Sequence, residues 1–224
     1  MTNQIKLAKL AWRNGTTPIA TQFDDPYFSV DNGLAETAHV FLAGNNLPAR
    51  FTQGFHVAEL GFGTGLNLLA AWQMWLKSGQ SGRLIYTSFE AYPMDMSSMR
   101  KALSHWPELN DLAQKMLEQL ASDHFEVNTP TLCAKIIIGD ARKTLPAWLG
   151  QADAWFLDGF SPAKNPELWE PTLMQAVADH TNPRGTFATY TAAGHVRQSL
   201  ARAGFTVTRV TGFGRKRHMT IGIL

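Results

Sequence analysis

At 224 residues, of which 45% are hydrophobic, the chain can enclose one substantial core but is short for two ordinary domains and a linker. One domain over residues 1–224 is expected, with 1–55 as an N-terminal cap or extension and 56–224 as the core. No apolar run approaches a membrane span and the first residues lack the apolar stretch of a secretory leader, so a cytoplasmic protein without a membrane partner is expected, while the net charge of +2 by itself says little.

In chain order, a polar, turn-rich N-terminal region contains Phe23–Ser29, whose rings either fold over a ligand or pack on the core. The first strong strand is His56–Leu60, followed by the loop and helix start VAELGFGTGLN (Val57–Asn67) and a helix over Leu66–Lys77. A second strand, Leu84–Glu90, precedes helices at Met94–Leu103 and Glu108–Leu120. Cys133 has no partner for a disulfide and reads as a core residue, and the scattered histidines offer no metal-ligand spacing, so no metal is expected.

A third strand, Ala134–Asp140, leads into a helix at Ala141–Leu149, and a fourth, Asp153–Phe160, into the loop GFSPAKNP and a helix over Pro166–His180. Pro166 suits a first helical turn. Next come a strand at Gly185–Thr191, a helix at Ala193–Ala203 closed by Gly204, and strands at Thr206–Gly214 and Lys216–Leu224. Only Arg215 separates the last two strands, so they must be antiparallel. From His180 onward the chain has seven Lys/Arg and no carboxylate, which favours a polyanionic partner over a merely solvated basic face.

Strands alternating with helices predict an α/β protein with a mostly parallel sheet of seven strands ending in an antiparallel hairpin. Gly61, Gly63 and Gly65 between the first strand and helix read as a cofactor loop, because glycine permits a sharp turn and close approach of a ligand to the backbone. A tight turn without a ligand is the alternative. The dinucleotide fingerprint would place glycine where Leu66 stands, so the loop does not match it. Glu59 is placed to face a cationic part of the cofactor, and Glu90 to accept from ribose hydroxyls. Asp140 ends the third strand, either reading an adenine edge or capping the next helix. Asp158 ends the fourth, at the floor of the cleft or as a cap, and Phe160, Pro162 and Trp169 offer flat surfaces on which a base can stack.

The stretches FDDPYFSVDNGLAET, AELGFGTGLN, SFEAYP, DAWFLDGFSPAKNPELW and GTFATYTAAGHVRQSLARAGFTVTRVTGFGRKRHM together resemble the family of MnmC methyltransferase domains and stand-alone MnmD enzymes. That resemblance implies a Rossmann-like class I methyltransferase fold and S-adenosylmethionine as cofactor, held by Glu59, Gly61, Gly63, Gly65, Asn67, Glu90, Asp140 and Asp158. It further implies methylation of the exocyclic amine of 5-aminomethyl-(2-thio)uridine at the tRNA wobble position. The expected macromolecular partner is the tRNA anticodon stem-loop, contacted by Phe160, Lys164, Arg197, Arg215, Lys216 and Arg217. A flavin-dependent oxidoreductase domain, fused or separate, is expected to supply the amine; no flavin-binding segment follows Leu224, so the chain reads as a stand-alone enzyme or an excised domain. Asp158 is the expected catalytic residue, hydrogen-bonding the attacking nitrogen and relaying its proton.

Overall fold

In the computed structural model, which describes residues 5–29, 32–120 and 125–224, the polar N-terminal region is structured. It forms a small antiparallel sheet of β1 (Leu10–Arg13), β2 (Thr17–Ala20) and β3 (Asp25–Pro26). Asn32 then caps helix α1 (Gly33–Thr37) by accepting from the Ala35 N–H at 2.9 Å. The helical path continues through a wider turn at Ala38–Leu42 and a tighter one at Ala43–Asn45, and stops where Asn46 turns left-handed at φ 55°. Val40, Phe41, Leu42, Leu47, Phe51 and Phe55 of this region are buried in the same cluster as the central strands. Residues 40–55 thus cover one face of the main sheet, a role the sequence reading did not assign to them.

The main sheet starts at β4 (His56–Leu60), whose apolar run is buried because both of its faces are covered. Helix α2 (Leu66–Lys77) follows, burying Leu68, Leu69, Trp72 and Trp75; each such side chain contributes about 1.5–3 kcal/mol of burial. Next come β5 (Leu84–Glu90), α3 (Met96–Leu103), and a tight turn at Pro107–Leu109 leading into α4 (Asn110–Gln119). A strand absent from the sequence reading, β6 (Glu126–Asn128), pairs antiparallel with β7 (Leu132–Ile138) and makes the sheet eight-stranded. At three residues, β6 is too short to show an alternation in sequence.

Helix α5 keeps only Ala141–Thr144 of its predicted span, ending just before Pro146, which has no N–H to continue the ladder. After β8 (Ala152–Leu157), the predicted helix Pro166–His180 is two elements, a tight turn at Pro166–Trp169 and helix α6 (Pro171–Asp179). Pro171 disfavours helical backbone at the residue before it, and Glu170 is extended at φ −63°, ψ 146°. Strand β9 (Thr181–Thr189) begins earlier than expected: its pairing with β8 shifts register between Ala152 and Ala154, and Arg184 takes a left-handed φ of 64°. Helix α7 (Gly194–Arg202), β10 (Thr206–Thr211) and β11 (His218–Ile223) complete the chain.

The strand order is β10-β11-β9-β8-β4-β5-β7-β6, with the five strands from β9 through β7 parallel and the last two strands of the chain an antiparallel pair. Along β8, Ala154 and Phe156 join the cluster under α2 and the N-terminal region, whereas Trp155 and Leu157 join the cluster under α6 and α7. Cys133 is only partly buried, contrary to expectation. Leu132, Ala134 and Ile136 take the well-covered face of β7, so Cys133, next in the alternation, falls on the other.

Candidate active site

From β4 the chain moves outward to β5 and β7, then returns to place β8 on the other side of β4, and this reversal opens a crevice at the carboxyl ends of β4 and β8. A cavity of about 300 Å³ lies there. Gly61 turns at φ +85° with its α-carbon packed toward the β8 loop, where an added Cβ would lie 3.2 Å from the Gly159 Cα. Gly63, at φ +55°, leaves the loop surface open to the cavity and passes 3.1 Å, measured from an added Cβ, from the Tyr27 ring. Both positions need glycine for backbone conformation and for space. Gly65 starts α2 in the left-handed region but does not line the cavity.

Glu90, at the end of β5, lines the cavity and accepts from the Gly63 N–H at 3.0 Å and the Tyr92 N–H at 2.7 Å. Burial raises its proton affinity, and these N–H donors oppose that rise. Asp158 accepts from the Gly159 N–H and from the Asn67 side-chain amide, each at 2.8 Å. It is partly open to the cavity, yet enclosed enough that burial pushes its carboxyl up to about 6. Glu59 behaves differently from the expectation: it is 0% exposed, does not line the cavity, and sits beneath it. There it accepts from Asn67 at 2.9 Å and from the Ser88 hydroxyl at 2.7 Å, and burial holds its proton affinity well above the usual carboxylate range. Asn67 therefore donates to both acids while its own oxygen accepts from Thr37 at 2.7 Å, which leaves the amide one orientation.

The roof comes from the N-terminal segment. Asp25 accepts from the Ser161 N–H at 2.9 Å, and Lys164 donates to the Asp24 carbonyl and lies 3.5 Å from both the Asp24 and Asp25 carboxylates. Phe160 stacks on Phe23 with centroids 4.6 Å apart and meets Tyr27 edge-on at 5.1 Å. Tyr27 thus folds over the glycine loop, whereas Phe28 packs edge-on against Trp106 at 4.8 Å. At the mouth, Tyr190 donates its hydroxyl to the Gly159 carbonyl at 2.8 Å, and Lys216 sits 2.7 Å from Glu36 and 4.1 Å from the Tyr190 ring centroid.

Of the residues singled out in the sequence, the fold gathers Gly61, Gly63, Asn67, Glu90, Asp158, Phe160 and Lys216 around one cavity. Asp140 is not among them: it caps α5 through the Arg142 N–H at 3.0 Å and pairs with the Arg142 guanidinium at 2.7 Å. Lys164 is used in pinning the roof, and Arg197 donates to the Ala192 carbonyl at 3.2 Å. Trp169 offers no stacking surface, being 2% exposed with its Nε1 donating to the Phe160 carbonyl at 2.9 Å. Arg215 and Arg217 are exposed on the turn before β11, outside the cavity lining. The sequence reading missed Asp25, Glu36, Thr37, Phe41 and Tyr190. Glu36 and Thr37 lay inside a stretch quoted for the family resemblance, and Tyr190 follows a strand end just as Asp158 does.

Residues 106–224 match the model of a family described as S-adenosyl-L-methionine-dependent methyltransferase. The chain belongs to this methyltransferase family. It is 42% identical, over 239 aligned positions, to the tRNA 5-methylaminomethyl-2-thiouridine biosynthesis bifunctional protein MnmC of Aeromonas hydrophila, covering 96% of this chain and 35% of that protein. The chain therefore spans about a third of the length of this curated relative. The crystal structure of MNMC2 from Aquifex aeolicus is similar, with TM-score 0.75 and 25% identity over 98% of this chain and 71% of that one. A precorrin-6y C5,15-methyltransferase from Geobacter metallireducens shares the fold alone, at TM-score 0.52 and 11% identity over 96% of this chain and 98% of that one. The fold is that of class I methyltransferases with one strand more than expected, and the cofactor of the family is S-adenosylmethionine. The residues present suit it: Gly61 and Gly63 present bare backbone to the cavity, Glu90 offers carboxylate lone pairs to hydroxyls, and acidic side chains line a cavity for a cationic ligand.

Proposed function

We propose that this chain, acting as one methyltransferase domain in the cytoplasm, methylates the exocyclic amine of 5-aminomethyl-(2-thio)uridine at the wobble position of tRNA. The observation that carries the reading is Asp158, a carboxyl held by Asn67 and Gly159 at the floor of the cavity that Gly61, Gly63 and Glu90 also line. The name of the Aeromonas relative supports the acceptor. Among the described residues no helix is long and apolar enough to cross a membrane.

S-adenosylmethionine, when bound, supplies an electrophilic methyl group on a positively charged sulfur. Gly61, Gly63 and Glu90 would hold it, the glycines through close backbone approach and Glu90 through its free lone pairs. Asn67 and the Gly159 N–H fix the Asp158 carboxylate so that it meets the acceptor in one orientation. An alkylammonium has no lone pair with which to attack, so Asp158 takes one proton, the ammonium and carboxylate becoming a neutral amine and a carboxylic acid. Phe23, Tyr27 and Phe160 close the roof and exclude water. Arg215 and Arg217 contact phosphates of the anticodon stem-loop. A flavin-dependent oxidoreductase activity, on the same polypeptide or another, supplies the aminomethyl group.

The test is to incubate the protein with methyl-labelled S-adenosylmethionine and tRNA bearing 5-aminomethyl wobble uridine, then digest and analyse nucleosides by mass spectrometry. Labelled 5-methylaminomethyl nucleoside is the expected product. Cofactor binding without such product would overturn the assigned acceptor while leaving the methyltransferase family in place.

A further inference from the structure

Lys216 sits in the basic turn Arg215–Arg217, but its side chain does not share the fate of its neighbours. Its ammonium turns into the cavity mouth, 2.7 Å from Glu36 and 4.1 Å from the centre of the Tyr190 ring. The Tyr190 hydroxyl, donating to the Gly159 carbonyl, fixes that ring on the β8 loop, and the Glu36 side chain is only 12% exposed. A carboxylate and an aromatic face converging on one point form a receptor for a primary ammonium, since the carboxylate accepts its N–H bonds and the ring face attracts its charge. The Lys216 side chain is 46% exposed, and an ion pair so open to water is weak and readily exchanged.

Charge points the same way. Four carboxyl groups line the cavity (Asp25, Glu36, Glu90 and Asp158) against one lysine, so the lining suits cationic ligands. Glu36 and Lys216 both lie close enough to Asp158 to move its proton affinity, in opposite directions. The ε-ammonium of lysine and the ammonium of an aminomethyl group are the same chemical species on different stems.

We infer that Glu36 and the Tyr190 ring are the docking point for the acceptor's primary ammonium, and that Lys216 fills this point until the acceptor displaces it. The inference rests on the proposal that the acceptor is an aminomethyl group. It assigns Lys216 a role distinct from that of Arg215 and Arg217: the arginines meet phosphate, whereas Lys216 competes with the substrate's own ammonium. Displaced, Lys216 is released toward solvent, and the docked ammonium stands in the cavity that holds Asp158, its proton acceptor.

The test measures equilibrium binding in the presence of S-adenosylhomocysteine, so that no turnover occurs. The probes are two anticodon stem-loops that differ only in 5-aminomethyl or 5-methyl at the wobble uridine, together with free 5-aminomethyluridine. Wild-type protein should prefer the aminomethyl stem-loop. Glu36→Gln should erase at least fivefold of that preference while leaving the 5-methyl stem-loop unaffected, and Lys216→Met should tighten the free nucleoside at least threefold. A Glu36→Gln protein with full preference overturns the docking point. If Lys216→Met weakens both stem-loops equally and flattens their salt dependence, Lys216 is a phosphate contact and the inference fails. Should Glu36→Gln not fold, judged by its melting curve and cofactor affinity, Glu36→Asp and Lys216→Met carry the same decision. Failure of wild-type protein to bind either stem-loop would sink the tRNA reading alone, because the nucleoside titrations still decide the ammonium site.

Discussion

Gly61, Gly63 and Asn67, of the half of the cavity proposed for the cofactor, come from the single stretch 57–67, with Glu90 one strand away, whereas Asp25, Glu36, Tyr190 and Lys216, of the half proposed for the acceptor, come from segments scattered along the chain. The first half is stiffened by backbone conformation and buried hydrogen bonds, the second by ring contacts and a half-exposed ion pair. A site that must hold one invariant cofactor can be written into a local turn. One that must admit a large acceptor has to be assembled from parts that can separate.

Asp158 belongs to both halves, so its removal should have the largest effect. Asp158→Ala is expected to lower the methylation rate about 10²–10⁴-fold, measured with labelled cofactor under saturating tRNA; a near-native rate would end its proposed role. Activity should also rise as pH passes about 6, where the buried carboxyl loses its proton and becomes able to accept one. The same shift has a stability consequence. Native Asp158 holds its proton more tightly than the unfolded chain does, so its contribution is fully present below about pH 4, declines as pH rises to about 6, and stays low above. In ligand-free protein the stability difference between wild type and Asp158→Ala should therefore shift by about 1–2 kcal/mol between pH 4 and 7.5 in urea titrations, a value reduced because the group is partly open to water.

Smaller effects separate the two halves. Gly61→Ala forces a side chain into φ +85° and toward the Gly159 Cα, and should cost about 1–3 kcal/mol of stability along with most cofactor affinity, read by calorimetric titration. Glu59 distinguishes a positioning acid from one that touches ligand: Glu59→Gln should keep cofactor affinity within about threefold, while Glu59→Ala strands the Asn67 and Ser88 donors and loses about 2–4 kcal/mol. Equal loss in both variants would mean that the Glu59 charge acts directly. Replacing Arg215 and Arg217 together by alanine should leave cofactor binding unchanged and reduce the slope of log affinity against log salt by about 1.5.

How much of this was legible in sequence follows from the same contrast. Four of the five parallel strands were legible because their apolar runs end at a glycine or an acid, β9 being the exception with Thr189 and Tyr190 at its end, and the glycine loop declared its half of the site locally. Strand β6 was hidden by its brevity, and the break at Pro171 was passed over although proline marks it. Glu59 and Asp140 were read as ligand residues because sequence gives a strand end but not the side on which its carboxyl lies. Glu59 points beneath the floor and Asp140 folds back onto Arg142, and only coordinates distinguish these from Glu90. Glu36 escaped because its partner Lys216 is 180 residues away, a distance at which no periodicity signals contact, and Tyr190 because its hydroxyl partner, the Gly159 carbonyl 31 residues before it, lies on the loop of a different strand.

The two margins of the main sheet bear on how the protein behaves at high concentration. One margin is β6, three residues long, and the other is β10, whose outward residues include the exposed Arg209 among threonines. A strand needs a run of free backbone groups to recruit a second chain, and the short margin offers few, while stacking copies on the other would bring one Arg209 beside another. The short margin and the charged one both disfavour edge-to-edge growth of the sheet, β6 by its brevity and β10 by its arginine.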